Sequence, residues 1–425
     1  MKNFLRKTIE YLFYLFVFSL SFQTKLILVP AETNYNEISL YLNYLLLTLT
    51  LFLSFIYYFK YQEGDKIKIG PLIIILASWE FFIFISLFFS NNLSVSIFKY
   101  ILILLSWGLF FLAINFKIFN IKKRKVIIVF LSALLIQASL ALFQFFSQSS
   151  FSSKYLGMAR HNSASLGVAV IENDTGRFLR AYGASDHPNI LGALMFFAFF
   201  FSLLLVLKAK TSRDRIIFFL FLLIFLLALI VSFSRAAYLA LCLSLIFLLF
   251  FFISQKPRVF LKQYLKVLAL LFVFILIFIT ILKPLLFSRF NLDSRLEQIS
   301  LNERLEQSSS ASDIIKENVF WGVGLGSYHS KLMSLDSNLA PYEAQPVHNV
   351  FLLIWAEIGL WGFLVCVYLI FYLLKNNLNN LIYSPIFIGL FIFMIFDHWL
   401  WSLPAGLLFL SFFLSLTFVL KYDNV

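Results

Sequence analysis

The residues best able to do chemistry in this 425-residue chain are its five histidines and a set of arginines that open apolar runs. Three segments stand out: RAYGASDHPN at 180–189, SRAAYLA at 234–240 and PVHNVFLLIWAEIGLWG at 346–362. A helix starting in each would present unpaired N–H groups and the positive end of its dipole, which favours an anion. Ser185 or Asp186 ahead of Pro188 fits an N-cap with a first-turn proline, and Ser234 fits a cap as well. Arg180 and Arg235 add planar, permanently charged forks suited to phosphate oxygens. A lipid-linked pyrophosphate is such an anion. His348 is the leading general-base candidate, because an imidazole titrates near neutrality. His187 also opens a run and is its nearest rival, with His161, His329 and His398 competing. The same residues would serve a well-capped helix, so the pattern alone leaves site and cap both open.

Other chemistries find less support. There is no Asp-x-Asp and no His/Cys cluster at metal-ligand spacing, so neither a required metal nor a cofactor is expected. GVGLGS at 322–327 lacks the ending of a phosphate-binding P-loop and is read as a tight loop. Cys242 and Cys366 lie in apolar runs and read as small hydrophobes.

The elements that must position these residues are membrane helices. Hydrophobic residues make up 61% of the chain, charged residues 13%, and the mean hydropathy is +0.90, so a bilayer must be the solvent for most of it. Twelve spans are predicted, at 8–29, 38–59, 71–90, 97–116, 126–147, 188–207, 216–233, 236–254, 263–282, 348–374, 382–398 and 403–420. The expected fold is an all-α polytopic protein forming a single integral membrane domain over 1–425. External loops are expected at 148–187 and 283–347, the second large and partly helical. MKNFLRK and the run after it read as a signal anchor. Placing both termini inside puts most of the 34 lysines and arginines in inner loops, and the short outer loops hold none. The net charge of +13 is then mostly topological, and no nucleic-acid partner is needed.

Arginines on the outer side run against that bias. Arg235 is isolated in a short turn, with no acid near it in sequence. RLEQ occurs at 295–298 and again at 304–307. In one continuous helix that separation is about 2.5 turns, so Arg295 and Arg304 are expected on opposite sides. Leu292, Leu296 and Ile299 have helical spacing and would let this segment lie flat on the outer leaflet.

His348-Asn349, nine residues, Gly359, two residues and Gly362 resemble the signature of the O-antigen ligase and polymerase superfamily of bacterial membrane glycosyltransferases. Ser234-Arg235, RAYGASDHPN and FWGVGLGSY at 320–328 look like further family segments in family order, covering most of 177–375. The resemblance implies a C-type glycosyltransferase architecture and metal-independent, inverting transfer. The implied donor is an undecaprenyl-diphosphate-linked glycan on the outer face of the cytoplasmic (inner) membrane. It also implies that Arg235 and Arg304 hold the pyrophosphate and that His348 activates the acceptor. Arg180 is a further pyrophosphate candidate; Arg295, His187 and Asn349 rank below. The acceptor would be a glycolipid, a growing lipid-linked glycan or a protein, with a ligase-like reading preferred. Membrane lipids are the remaining partners. Two rivals of other classes are a flippase of lipid-linked glycan and an inactive assembly scaffold; a flippase should carry ionisable residues at mid-membrane.

Overall fold

The computed structural model describes residues 1–61, 71–254, 258–291, 293–335, 339–340, 343–377 and 383–420. Helix α1 (Lys2–Ser19) leads into an antiparallel ribbon, β1 (Lys25–Val29) and β2 (Ile38–Tyr41). There follow α2 (Leu42–Tyr61), α3 (Pro71–Ser86) with a 3-10 turn, α4 (Leu93–Ile114), the short α5 (Phe116–Phe119) and α6 (Lys123–Ser147). A second ribbon, β3 (Val170–Asn173) and β4 (Gly176–Leu179), precedes α7 (Pro188–Leu207), α8 (Ser212–Val231), α9 (Arg235–Ser254) and α10 (Arg258–Phe290). The chain continues through α11 (Arg295–Glu317), α12 (Tyr328–Leu335), α13 (Val350–Asn377), α14 (Tyr383–Phe396), the short α15 (Trp399–Ser402) and α16 (Pro404–Leu420).

Among the described residues, nine helices are long and apolar enough to cross a membrane: α2, α3 with its 3-10 turn, α4, α6 to α10 and α13. The predicted spans at 382–398 and 403–420 correspond to the shorter apolar helices α14 and α16, and the first prediction to the charge-bearing α1. The protein is a multi-pass, mainly helical membrane protein. At its centre stands α7, buried along its length except at Asn189. Phenylalanines at 196, 197 and 201 pack it against α14, α16 and α6.

Three expectations need correction. The first span was placed at 8–29, but the helix ends at Ser19, because 25–29 pairs with 38–41 instead. An ion pair of Lys25 with Glu37 at 2.6 Å ties the base of that ribbon, and Leu26 to Val29 remain exposed as an apolar surface that lipid would cover. The ninth span was ended at 282, yet α10 runs through Pro284 to Phe290. Its 33 residues reach about 50 Å, well beyond a hydrocarbon core of about 30 Å, and bring Arg289 to the turn between α8 and α9. Finally, the second span was placed from 38, but 38–41 form β2 and α2 begins at Leu42; Leu296 and Ile299 line a cavity that α11 roofs. Leu292 lies outside the described residues.

The tenth span is broken. Gly359 has φ 75° and ψ −179°, and a Cβ there would lie 2.2 Å from the Phe320 carbonyl oxygen. The glycine loop docks into this break: Leu360 N–H donates to Val319 at 2.9 Å, Val323 N–H to Ala356 at 2.8 Å, and Gly324 N–H to Glu357 at 2.9 Å. Each exchange satisfies a backbone group that a broken helix would otherwise leave unpaired in an apolar setting. The tight-loop reading of GVGLGS agrees with this geometry. Beside the break, Lys99 reaches Glu357 at 3.2 Å, and Trp401 Nε1–H donates to the same carboxylate at 2.8 Å. These two membrane charges therefore neutralise one another.

Gly362 has ordinary helical geometry, and a Cβ there would meet only the Ile358 side chain. Gly359→Ala should therefore cost several kcal/mol, combining left-handed strain of about 1–3 kcal/mol with a backbone clash. Gly362→Ala should cost clearly less. Thermal unfolding of the two variants in detergent checks the order; equal losses would contradict the docking role of Gly359.

Candidate active site

The loop that brings Arg180 and His187 to the site is shaped by two buried glutamines of α6. Gln144 Oε1 accepts from the N–H groups of Tyr182 and Gly183 at 3.0 and 2.8 Å, and its amide nitrogen donates to the Gly183 carbonyl at 2.7 Å. Gln137 Oε1 accepts from Ala184 N–H at 2.6 Å. Thus held, the chain enters α7 through His187, whose Nδ1 accepts from Asn189 N–H at 3.1 Å. The cap of α7 is His187 and not Ser185 or Asp186, because the imidazole nitrogen reaches the N2 amide first. The expected Ser234 cap is present, its Oγ accepting from Ala237 N–H at 3.4 Å. Asn349 caps α13, with its Oδ1 accepting from Phe351 and Leu352 N–H at 2.9 and 3.1 Å.

These ends converge on a cavity of about 640 Å³. Arg177, Arg180, Arg289, Arg295 and Arg304 line it, together with His187, His348 and His398. Arg180 is 5% exposed; its Nε donates to the Ser232 carbonyl at 2.9 Å and an Nη to Asn189 Oδ1 at 2.8 Å. Asn189 passes the contact on, donating from Nδ2 to Asp397 at 3.2 Å. Burial, and then the neighbouring Arg289, push the Arg180 guanidinium down to about 9. It stays protonated at neutral pH, in a field that an anion would relieve.

His348 stands at the mouth of α13. Its Nδ1 is 2.7 Å from Gln307 Oε1, a pure acceptor, so Nδ1 carries the proton and Nε2 keeps its lone pair. Its ring lies edge-on to His398, with centroids 4.9 Å apart. Burial lowers the pKa of His348 below the ordinary imidazole value; Asp397 opposes this and Arg304 adds to it. His187 is lowered to about 3 by burial, then by Arg180, and remains a neutral cap. The other two histidines do not line the cavity: His161 stacks on Tyr182 at 4.1 Å, and His329 Nδ1 faces the Ala344 carbonyl at 2.6 Å.

His348, Asp397 and His398 each offer one ligand atom, all within 4.8 Å of one another. The sequence search for metal spacing missed this trio because His348 lies about fifty residues from the adjacent Asp397-His398 pair. The surrounding arginines oppose a divalent cation there and favour an anion. Both imidazole Nδ1 atoms are already engaged, by Gln307 and by Ser402 at 2.7 Å each. The trio is better suited to moving a proton than to holding an ion.

The predicted arginines divide. Arg304 and Arg295 both line the cavity, although about 2.5 turns separate them and opposite faces were expected. The long Arg295 side chain reaches back to Glu172 at 2.9 Å at the cavity edge. Arg304 has no ion-pair partner among the described residues. Arg235 is not among the lining residues; its guanidinium is paired with Glu297 at 2.8 Å. Asn349 likewise stands off the cavity.

Residues 219–367 match a family model described as O-antigen ligase. That stretch, about a third of the chain, is similar to the family. The match takes in Arg235, Arg289, Arg304 and His348, and leaves Arg180, Asn189, Asp397 and His398 outside its bounds. No match was found among curated proteins. The matched stretch thus supplies one part of the site, and the flanking helices supply the rest. Tyr35, delivered by the β1–β2 connection, also lines the cavity, 5.8 Å from the His398 ring. Gln307, Asn189 and Tyr35 went unrecognised in the sequence. Only the adjacent Asp397-His398 pair at the end of an apolar run offered a signal.

An anion should settle in this cavity. Inorganic pyrophosphate is expected to raise the melting temperature of the purified protein, while acetate at equal ionic strength leaves it unchanged. Arg304→Gln should cut the shift by more than half. A shift insensitive to Arg304 would remove that residue from the binding surface.

Proposed function

We propose that this protein is a membrane glycosyltransferase of the O-antigen ligase type. It moves a glycan from an undecaprenyl-diphosphate carrier to an acceptor hydroxyl at the outer face of the cytoplasmic membrane. The observation that carries this reading is a histidine held at Nδ1 by Gln307 in an arginine-lined cavity. In the proposed reaction the diphosphate lies against Arg180, Arg289 and Arg304. Arg235 joins them once it is released from Glu297. His348 Nε2 takes the acceptor hydroxyl proton as the oxygen attacks the anomeric carbon and inverts it. The bond from that carbon to the diphosphate oxygen breaks, and undecaprenyl diphosphate leaves with its negative charge held by the arginines. Gln307 keeps the tautomer, and Asp397 with His398 gives the proton a place to go. No metal is required in this scheme. A lipid core, a lipid-linked repeat unit and a protein hydroxyl all remain acceptors of the right chemistry, and the product distinguishes them.

The test is a paired assay in membrane vesicles supplied with undecaprenyl-diphosphate glycan and the cell's own acceptors. His348→Ala should lower release of undecaprenyl diphosphate by about 10²–10⁴-fold, as loss of a general base does. Full activity in that variant would end the assignment; glycan translocation without release would favour a flippase.

The pH profile offers a second check. Since burial and Arg304 lower the His348 pKa, the acid limb of the rate should fall below the ordinary imidazole value of about 6.5. Arg304→Gln removes one cause of the lowering, so the limb should move to higher pH. A limb that moves to lower pH, or stays put, would separate Arg304 from His348.

A further inference from the structure

Of the acids on the helix that roofs the cavity, Glu303 lines the cavity but is exposed, and one other is buried. Glu297, in the first turn of α11, is 3% exposed. Its Oε2 lies 2.8 Å from Arg235 Nη1, and its Oε1 is bonded by Arg289. Arg289 is fixed in turn by its Nε, which donates to the Phe233 carbonyl at 3.1 Å, and it lines the cavity. The carboxylate therefore sits where α9, α10 and α11 meet, with Arg180 and Arg304 adding to the same positive field. A planar carboxylate between two guanidinium forks occupies the place that a phosphate group would take.

Charge decides what can replace it. Arg235 and Arg289 together hold two positive charges against one negative. A singly charged phosphodiester offered to this pair must displace a group of equal charge, so it gains no Coulomb energy. It also competes with a carboxylate attached to the same chain, whose effective concentration is on the order of millimolar or above. A diphosphate ester carries at least two negative charges, and its attraction to the pair grows in proportion. We propose that Glu297 is a specificity-determining residue. It guards the Arg235–Arg289 pair against singly charged phospholipid headgroups and yields it to a diphosphate. The proposal rests on the reading of this cavity as a lipid-diphosphate site. It accounts for Arg235 standing off the cavity. It also ties donor binding to a release of the first turn of α11, the helix that carries Arg304 and Gln307.

The experiment uses the full-length protein in nanodiscs and measures its affinity for undecaprenyl diphosphate. The bilayer is neutral phosphatidylcholine in one arm, with phosphatidylglycerol mixed in for the other. The wild type should lose little affinity on adding phosphatidylglycerol. Glu297→Gln should lose at least about tenfold more than the wild type, a difference well resolved on the affinity scale, because the monoanionic lipid now takes the arginines. Glu297→Asp, which keeps the charge, should behave as the wild type. A helix anchor with no selective role would change both arms alike, so an equal loss in wild type and Glu297→Gln overturns the proposal. Hydrogen exchange of residues 294–298 in the wild type gives a mutation-free check: undecaprenyl diphosphate should deprotect them and phosphatidylglycerol should not. Deprotection by both, or by neither, overturns it as well. If the wild type fails to bind undecaprenyl diphosphate in the neutral bilayer, the donor reading itself falls.

Discussion

A helix broken inside an apolar bundle must find partners for the backbone groups that the break sets free. In this protein the 319–324 segment answers that need at Gly359, through three main-chain hydrogen bonds. Much else follows from the docking. It brings the end of α11 against α13, and so sets Gln307 against His348. It leaves Glu357 turned toward Lys99 and Trp401, joining α13 to α4 and α15. The spacing from His348 to Gly359 then has a mechanical sense: about three helical turns separate the imidazole from the point where its helix is clamped.

Charge is distributed by a similar economy of contacts. Arg180, Asn189 and Asp397 form one chain of hydrogen bonds across the cavity floor, linking an α6–α7 loop to the segment after α14. Arg235, Glu297 and Arg289 form another along the roof. The floor chain bears on the histidines, and the roof chain bears on the arginines. The surroundings of the histidines and of the arginines are thus set by different groups within one cavity, and Arg304 is the residue that touches both, through its influence on His348.

What could be read from the sequence is what depends on short-range physics. Hydropathy located the apolar helices to within a few residues at α7 and α9, where the polar ends are abrupt. Capping residues and arginines at span starts pointed to the end of the bundle where the cavity lies. The failures share a cause: each needs a partner distant in sequence. The apolar run at 25–29 pairs with 38–41 as a ribbon, so hydropathy alone extended a helix through it. Arg235 looked unopposed because Glu297, its counter-charge, arrives from a helix two elements later. His348 and His398 are neighbours only once α13 and α14 are folded together. In α10 the proline at 284 falls inside a helix that continues for six residues beyond it.

That long helix has a consequence of its own. Most of α10 is loosely packed, with Phe272, Val273, Ile277 and Ile281 exposed toward lipid. Nothing in such a surface specifies one apolar side chain over another. Yet the same helix ends in the arginine that holds Glu297, and a helix turns about 100° for every residue. One residue added or removed between the lipid-exposed stretch and Ser288 would swing Arg289 off its partner. The lipid-facing stretch of α10 is therefore free in composition and fixed in length, so it works as a ruler for the site.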